Sequence, residues 1–364
     1  MSESNVAARL RARIFADGPV TVATFMAESA TAYYAQAEPF GVKGDFITAP
    51  EVSQVFGELV GLWASVVWQD MGAPEGIHMV ELGPGRGTLM NDLLRATRIV
   101  PDFAKALKIH LVETSPRLTA LQRQKLCNSG FPLSWHSSFE EVPHGPFLVV
   151  ANEFLDSLPI RQFERTADGW RERLVGLAAD GKTFCFVLGL PNATMPQLTA
   201  SIRNEAPVGA IVEEAAAVQD CIAAVAARLV SCGGAALFID YGPAFSTLGD
   251  SLQAVRHHAP HPILGAPGKI DITAHVNFAA AVATASQVGT RIYGPVTQGK
   301  WLSRLGILTR AKVLLAQAES WRQAHAITTG VHRLIGDAAM GRLFKVLGLA
   351  HPSLSSLPGL DRTG

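Results

Sequence analysis

Between residues 77 and 151, short apolar runs alternate with stretches of helical periodicity. The runs Ile77–Leu82, Ile109–Glu113, Leu133–His136 and Phe147–Ala151 read as strands, with Leu89–Thr97 and Leu118–Cys127 as helices between them. Strands that are apolar throughout and separated by helices mark βαβ units, because a parallel strand is covered on both faces. A long Ala-rich helix, about Val212–Leu229, then leads through Gly233–Gly234 into a fifth strand, Ala235–Asp240. The expected fold class is therefore α/β, a doubly wound, mostly parallel sheet.

Elsewhere the pattern changes. Residues 5–37 read as helical, with Pro19–Val20–Thr21 as a helix start. Residues 50–71 predict a second helix, with Pro50 in its first turn and Val55, Leu59, Leu62 and Val66 along one face. The runs Gln162–Arg165, Trp170–Leu177 and Thr183–Leu188, with turns at Asp168–Gly169 and Asp180–Gly181, predict an antiparallel meander inserted after the fourth strand. Residues 244–270, rich in His, Pro and Gly, read as a loop excursion. The C-terminal third is mostly helical and ends in an expected edge strand, Leu343–Leu349. The organisation expected is an N-terminal helical segment and lid over 1–72 and a core over 73–364. That core carries an inserted β-rich subdomain at 156–205 and the excursion at 244–270.

Composition narrows the function classes. The 364 residues are 48% apolar, enough for a sizeable core, and the formal net charge is zero. A neutral chain gives no electrostatic case for a nucleic-acid or membrane partner. Cys127, Cys185, Cys221 and Cys232 form no CxxC pair and read as reduced thiols rather than zinc ligands. The cluster His257, His258, His261 lies in a Pro-rich loop without acids at ligand spacing, so no metal is expected. No apolar run approaches the ~20 residues of a membrane span. Met1–Ile14 carries Arg9, Arg11 and Arg13 but no apolar stretch of a signal peptide, and Glu3 and Asp17 speak against a transit peptide. A cytoplasmic location is expected, or the mitochondrial matrix for a eukaryotic member.

The sharpest chemical signal is Met79–Val–Glu–Leu–Gly–Pro–Gly–Arg–Gly–Thr88, a strand, a glycine loop and a helix start. Glycine permits positive φ and lets a ligand approach the backbone. Gly83, Gly85 and Gly87, with Pro84 and Arg86 between them, depart from the G-x-G-x-x-G of dinucleotide sites. Glu81 would face a pyrophosphate badly and suits an ammonium, such as the methionine head of S-adenosylmethionine. Glu113, ending the second strand, stands where a doubly wound fold places the acid that holds the ribose hydroxyls. After the third strand, Ser138 and Phe139 are candidates for an adenine wall, core packing being the other reading of Phe139.

Glu81–Leu–Gly–Pro–Gly–Arg–Gly–Thr–Leu–Met90 and Ala151–Asn–Glu–Phe–Leu–Asp–Ser–Leu–Pro–Ile160 resemble the MidA-type methyltransferases. So do Ala37–Gly41, Gly44–Glu58, Phe238–Gly242, Asp271–Val276 and Phe344–Leu347. This family comprises bacterial and mitochondrial relatives of the arginine methyltransferase that assists respiratory complex I assembly. The resemblance covers nearly the whole chain. It implies a class I methyltransferase, Rossmann-like fold, S-adenosyl-L-methionine as cofactor, and a protein arginine as substrate. In the mitochondrial relative that arginine is symmetrically dimethylated, so a complex I subunit is the implied partner.

A guanidinium is protonated at any physiological pH, so acids must grip it and take up its proton. Asn152, Glu153 and Asp156 follow the fourth strand, at the rim where open α/β sheets bind ligands. Glu153 and Asp156 are expected to clamp the guanidinium, Asn152 to face the cofactor. Asp240 is a third acid of that rim or a turn residue, and His275 resembles a histidine near other arginine methyltransferase sites. Asp45, Thr48 and Ser53 are expected to face the cofactor from a glycine-hinged lid. Arg86 reaches a carboxylate there or lies on the surface. Two other readings remain at this point: a nicotinamide oxidoreductase on the same sheet, and a cofactor-binding assembly factor that mainly holds a client.

Overall fold

The computed structural model describes residues 4–36, 41, 44–191, 202 and 205–363. Residues 37–40, which open one resembling segment, and 192–201 of the expected insertion lie outside the described residues. In chain order the strands and the helices used below are α1 (Ser4–Asp17), β1 (Val20–Thr21), α2 (Val22–Gln36), α3 (Ala49–Val52), α4 (Gln54–Asp70), β2 (Ile77–Leu82), α5 (Thr88–Thr97), α6 (Pro101–Ala106), β3 (Leu107–Val112), α7 (Pro116–Leu126), β4 (Leu133–His136) and β5 (Phe147–Asn152). They continue with β6 (Arg161–Thr166), β7 (Gly169–Leu177), β8 (Phe184–Leu188), β9 (Ile211–Glu214), α8 (Ala216–Cys232), β10 (Gly234–Tyr241), β11 (Gln253–Arg256), β12 (Ala259–Pro260), β13 (Asp271–Thr273), β14 (Arg291–Thr297) and β15 (Phe344–Ala350). The chain divides into two compact units. One comprises Met1–Phe46, Asp156–Asp220 and Phe245–Asn277; the other comprises Ile47–Leu155, Cys221–Ala244 and Phe278–Gly364.

The larger unit is built on a seven-stranded sheet of order β14-β15-β10-β5-β2-β3-β4. From β10 to β4 every pairing is parallel, as the apolar runs required; β15 runs antiparallel to both of its neighbours. The expected strands all form. β15, expected at an edge, instead lies inside the sheet, because the unforeseen β14 pairs with it. Pro295 disguises β14 in the sequence. An edge strand with a register shift between Tyr293 and Val296 accommodates it. Side chains also bind neighbouring strands. His78 Nδ1 lies 2.8 Å from His110 Nε2, and His110 Nδ1 2.9 Å from His136 Nε2. Burial, joined by the charges of its two neighbours, lowers His110 to about 4.

The helix expected over residues 50–71 breaks at Ser53, whose backbone is extended (φ −160°) and whose hydroxyl caps α4 by accepting the Val55 N–H. Val66, expected on its buried face, is 41% exposed. α4 is instead buried around most of its girth, so the single apolar stripe misplaced this residue. Gly57 and Gly61 let α5 lie directly against it: a Cβ at Gly61 would sit 2.6 Å from the Leu93 carbonyl oxygen. Glu58, buried, receives Arg95 at 3.0 Å and Arg310 at 2.7 Å, joining α4 to α5 and to helix Ile307–Ala316.

The smaller unit contains the expected meander, β6, β7 and β8 all antiparallel. The Asp180 turn is closed by N–H donors of Lys182 and Thr183, each at 2.8 Å. Three expectations change here. β1 interrupts the 5–37 helix by pairing with β7. The predicted helix from Val212 begins as β9, because Ile211–Glu214 pairs with β6, and α8 starts only at Ala216. The 244–270 excursion carries β11 and β12, which form a small antiparallel sheet with β13. This unit has its own core, including Leu10, Phe25, Ile160, Val175 and Ile272. No described helix is long and apolar enough to cross a membrane.

Gly61→Val should lower the urea midpoint of the larger unit. Overpacking a close helix contact costs ~1–3 kcal/mol, so an unchanged midpoint would show that α4 and α5 can separate freely.

Candidate functional site

β2 carries Glu81 in the middle of the five parallel strands, in register with Leu111 of β3 and Val150 of β5. The residue is 3% exposed. It takes a hydrogen bond from the Met90 N–H, while among the described residues Oε2 has no partner. Burial drives its pKa well above the carboxylate range, the charge of Glu113 adding to the rise and the Met90 N–H opposing it. A buried carboxylate with an unused oxygen is costly by itself and favours a cationic ligand.

The loop beyond it turns through positive φ at Gly83 (64°), Gly85 (53°) and Gly87 (75°). A Cβ at Gly83 would lie 2.7 Å from the Phe154 ring, so the loop's first corner requires glycine on both counts. Gly87 N-caps α5 without a side-chain bond, leaving the N-terminal N–H groups of that helix without a side-chain cap. Arg86 Nη1 stands 3.8 Å from Glu51 Oε2, and Thr88 Oγ1 donates to the same Glu51.

Glu113 follows β3 with its N–H bonded to the His136 carbonyl at 2.9 Å. Its Oε1 accepts the Ser115 N–H at 2.8 Å and its Oε2 accepts Gln122 Nε2 at 3.1 Å. Burial raises this carboxyl too. At the tip of β5, Asn152 is buried and its Oδ1 is without a partner among the described residues. Glu153 takes φ +50°, a strained backbone for a residue with a Cβ. Its Oε1 accepts the Ala49 N–H at 2.7 Å and Asn152 Nδ2 at 3.0 Å. Thr48, just before α3, makes no side-chain cap, whereas Ser53 caps α4.

The other expected site residues are engaged in structural contacts or belong to the other unit. Asp240 is 1% exposed, and its two carboxylate oxygens accept the N–H groups of Leu155 and Tyr241, each at 2.9 Å. That is the turn role. Phe139 packs on Phe147 with the Arg228 guanidinium 4.3 Å above its ring, the core alternative, while Ser138 is half-buried ahead of the Phe139–Glu141 turn. Asp45, Asp156 and His275 belong to the smaller unit. There Asp45 accepts Tyr33 Oη at 2.6 Å and the His257 N–H at 2.7 Å. Asp156 is buried, and His275 is exposed. The division between Leu155 and Asp156 puts Glu153 in one unit and Asp156 in the other. Gln122 and Trp135 are residues that sequence reasoning missed: Trp135 Nε1 donates to Gln122 Oε1 at 3.0 Å, a pairing that no local pattern signals.

Residues 59–296 match the family described as "Putative S-adenosyl-L-methionine-dependent methyltransferase". The human protein named "Protein arginine methyltransferase NDUFAF7, mitochondrial" is 34% identical, the match spanning 93% of this chain and 81% of that protein. Its Xenopus tropicalis counterpart is 35% identical over 94% and 84%, and the Drosophila melanogaster homolog 36% over 95% and 84%. Among solved structures, a Burkholderia thailandensis protein bound to S-adenosyl-homocysteine superposes with a TM-score of 0.86 at 26% identity. The likeness covers 98% of this chain and 94% of that one. The buried orphan oxygens of Glu81 and Asn152 and the glycine cradle fit the family's cofactor.

Glu81→Gln should raise the melting temperature of the unliganded protein, because it removes a buried charge. The folded pKa is raised, so the destabilisation by Glu81 grows as pH climbs above the unfolded value of ~4.3. The gap between variant and wild type should therefore be wider at pH 8 than at pH 5. A gap that narrows with rising pH would contradict the uncompensated burial.

Proposed function

Since the chain belongs to this family of S-adenosyl-L-methionine-dependent methyltransferases, we propose that it methylates arginine in a protein. In this reading it symmetrically dimethylates a subunit of respiratory complex I and so aids its assembly. It works where that subunit is found, in a bacterial cytoplasm or a mitochondrial matrix. The observation that carries the reading is Glu81 Oε2, buried and without a partner where the glycine loop opens. The names of the animal relatives support arginine, and the resemblance already drawn supports complex I.

The cofactor supplies, when bound, a methyl group already activated on a sulfonium. The chain's residues then bind, orient and manage charge. Glu81 pairs its free oxygen with the methionine ammonium, and Glu113 accepts from the ribose hydroxyls. The Asn152 Oδ1 takes a further N–H or O–H. Glu153 is the residue for the guanidinium. Its carboxylate is oriented by the Ala49 N–H, and at the β5 tip it accepts guanidinium N–H groups and receives the proton released on methylation. Asp156, His275 and Asp45 lie in the smaller unit, so this assignment rests on Glu153 without them.

Glu153→Gln should lower turnover by roughly 100-fold or more, with S-adenosylhomocysteine affinity changed little. A variant that retains turnover would remove Glu153 from the chemistry. Loss of turnover with complex I assembly intact would favour a client-holding role. Mass spectrometry of cells with and without the gene should show dimethylarginine missing from a complex I subunit. A different modified side chain, or an unchanged arginine there, would sink the substrate assignment.

A further inference from the structure

Gln122 lies on α7, wholly buried, and both polar atoms of its amide are in use. Oε1 accepts from Trp135 Nε1 at 3.0 Å. An indole N–H can only donate, so it settles which end of the amide is oxygen. The two hydrogens of Nε2 then go to the Gly85 carbonyl at 2.8 Å and to Glu113 Oε2 at 3.1 Å. One side chain therefore holds the middle of the glycine loop and the acid after β3 together. The other Glu113 oxygen is held by the Ser115 N–H, and the Thr114 N–H also bonds the carboxylate, which with two lone pairs on each oxygen still has capacity for a further donor. The stem of Gln122 lies under Gly87, where a Cβ would meet its Cγ at 3.5 Å.

The helix that carries Gln122 is itself anchored at this spot. Ser115 caps it by accepting the Leu118 N–H at 3.3 Å, and Pro116 occupies its first turn. One turn beyond Gln122, Lys125 Nζ donates to Thr88 Oγ1 at 2.6 Å, at the start of α5. On the far side, the Arg123 guanidinium lies 4.2 Å above the Trp135 ring and steadies the indole that orients the amide.

We propose that Gln122 is a positioning residue for cofactor binding, setting the ribose-holding carboxylate and the glycine loop in one frame. The inference rests on the reading of Glu113 as the ribose acid. A side chain acting through Glu113 loses its effect once Glu113 can no longer grip, whereas an independent packing residue does not.

The test is a double-mutant cycle, with S-adenosylhomocysteine titrated calorimetrically into the full chain. Gln122→Met and Glu113→Gln should each weaken binding about tenfold, and the double variant should bind within about threefold of Glu113→Gln alone. If Gln122→Met binds like wild type, or if the two losses multiply to about a hundredfold, the positioning role is overturned. If Glu113→Gln itself leaves affinity unchanged, the ribose assignment has failed instead. Melting curves monitor each variant. Should Gln122→Met not fold, Gln122→Glu replaces it, since that change keeps the volume and the acceptor for Trp135. It sets a carboxylate against Glu113 and the Gly85 carbonyl, and should weaken binding more than tenfold, as expected for two like charges in contact.

Discussion

The burial of one carboxylate governs the arrangement of the site. Glu81 cannot withdraw, because its backbone is paired on both sides in the middle of a parallel sheet. It cannot reach water, being 3% exposed. Such a group is a standing cost until a cation reaches it. The core around it has to bear that cost, and the dense contacts of α4, α5 and the strands supply the rigidity. Family membership gives the cost a purpose in the reading proposed above, in which the ammonium head of the cofactor pairs with the buried acid.

The other acids at the strand ends show a shared device. Glu113 is held by the Ser115 N–H, Glu153 by the Ala49 N–H, and Asp240 by those of Leu155 and Tyr241. Backbone donors set the direction of a carboxylate without adding a competing full charge. What separates the three is how much of the carboxylate the fold consumes. Asp240 has both oxygens taken up by main-chain donors and holds the loop after β5. For Glu153 the strained positive φ aims a side chain that a relaxed backbone would direct elsewhere.

The smaller unit follows the same logic for structural ends. Arg161 forms a bidentate pair with Glu172 at 2.7–2.8 Å, across β6 and β7. Tyr34 donates to Asp271 at 3.0 Å. Burial first, then the charge of Asp156, raises Asp271 to about 7. These groups account for acids that composition alone would offer as catalytic candidates.

Much of this protein was legible in its residues, because the governing interactions are local. Periodicity placed every parallel strand, turn residues placed the meander, and the spacing of Glu81 and three glycines announced a strand, a loop and a helix start. The tertiary structure alone decided matters that depend on residues far apart in the chain. It placed β15 inside the sheet by pairing it with β14, and turned Ile211–Glu214 into a strand through Gln162 and its neighbours. It engaged Asp240 with main-chain donors, assigned Asp45 and Asp156 to another unit than Glu153, and brought Gln122 to both Gly85 and Glu113. Hydrogen-bond partners and burial are set by packing in three dimensions, and a one-dimensional pattern carries no record of them.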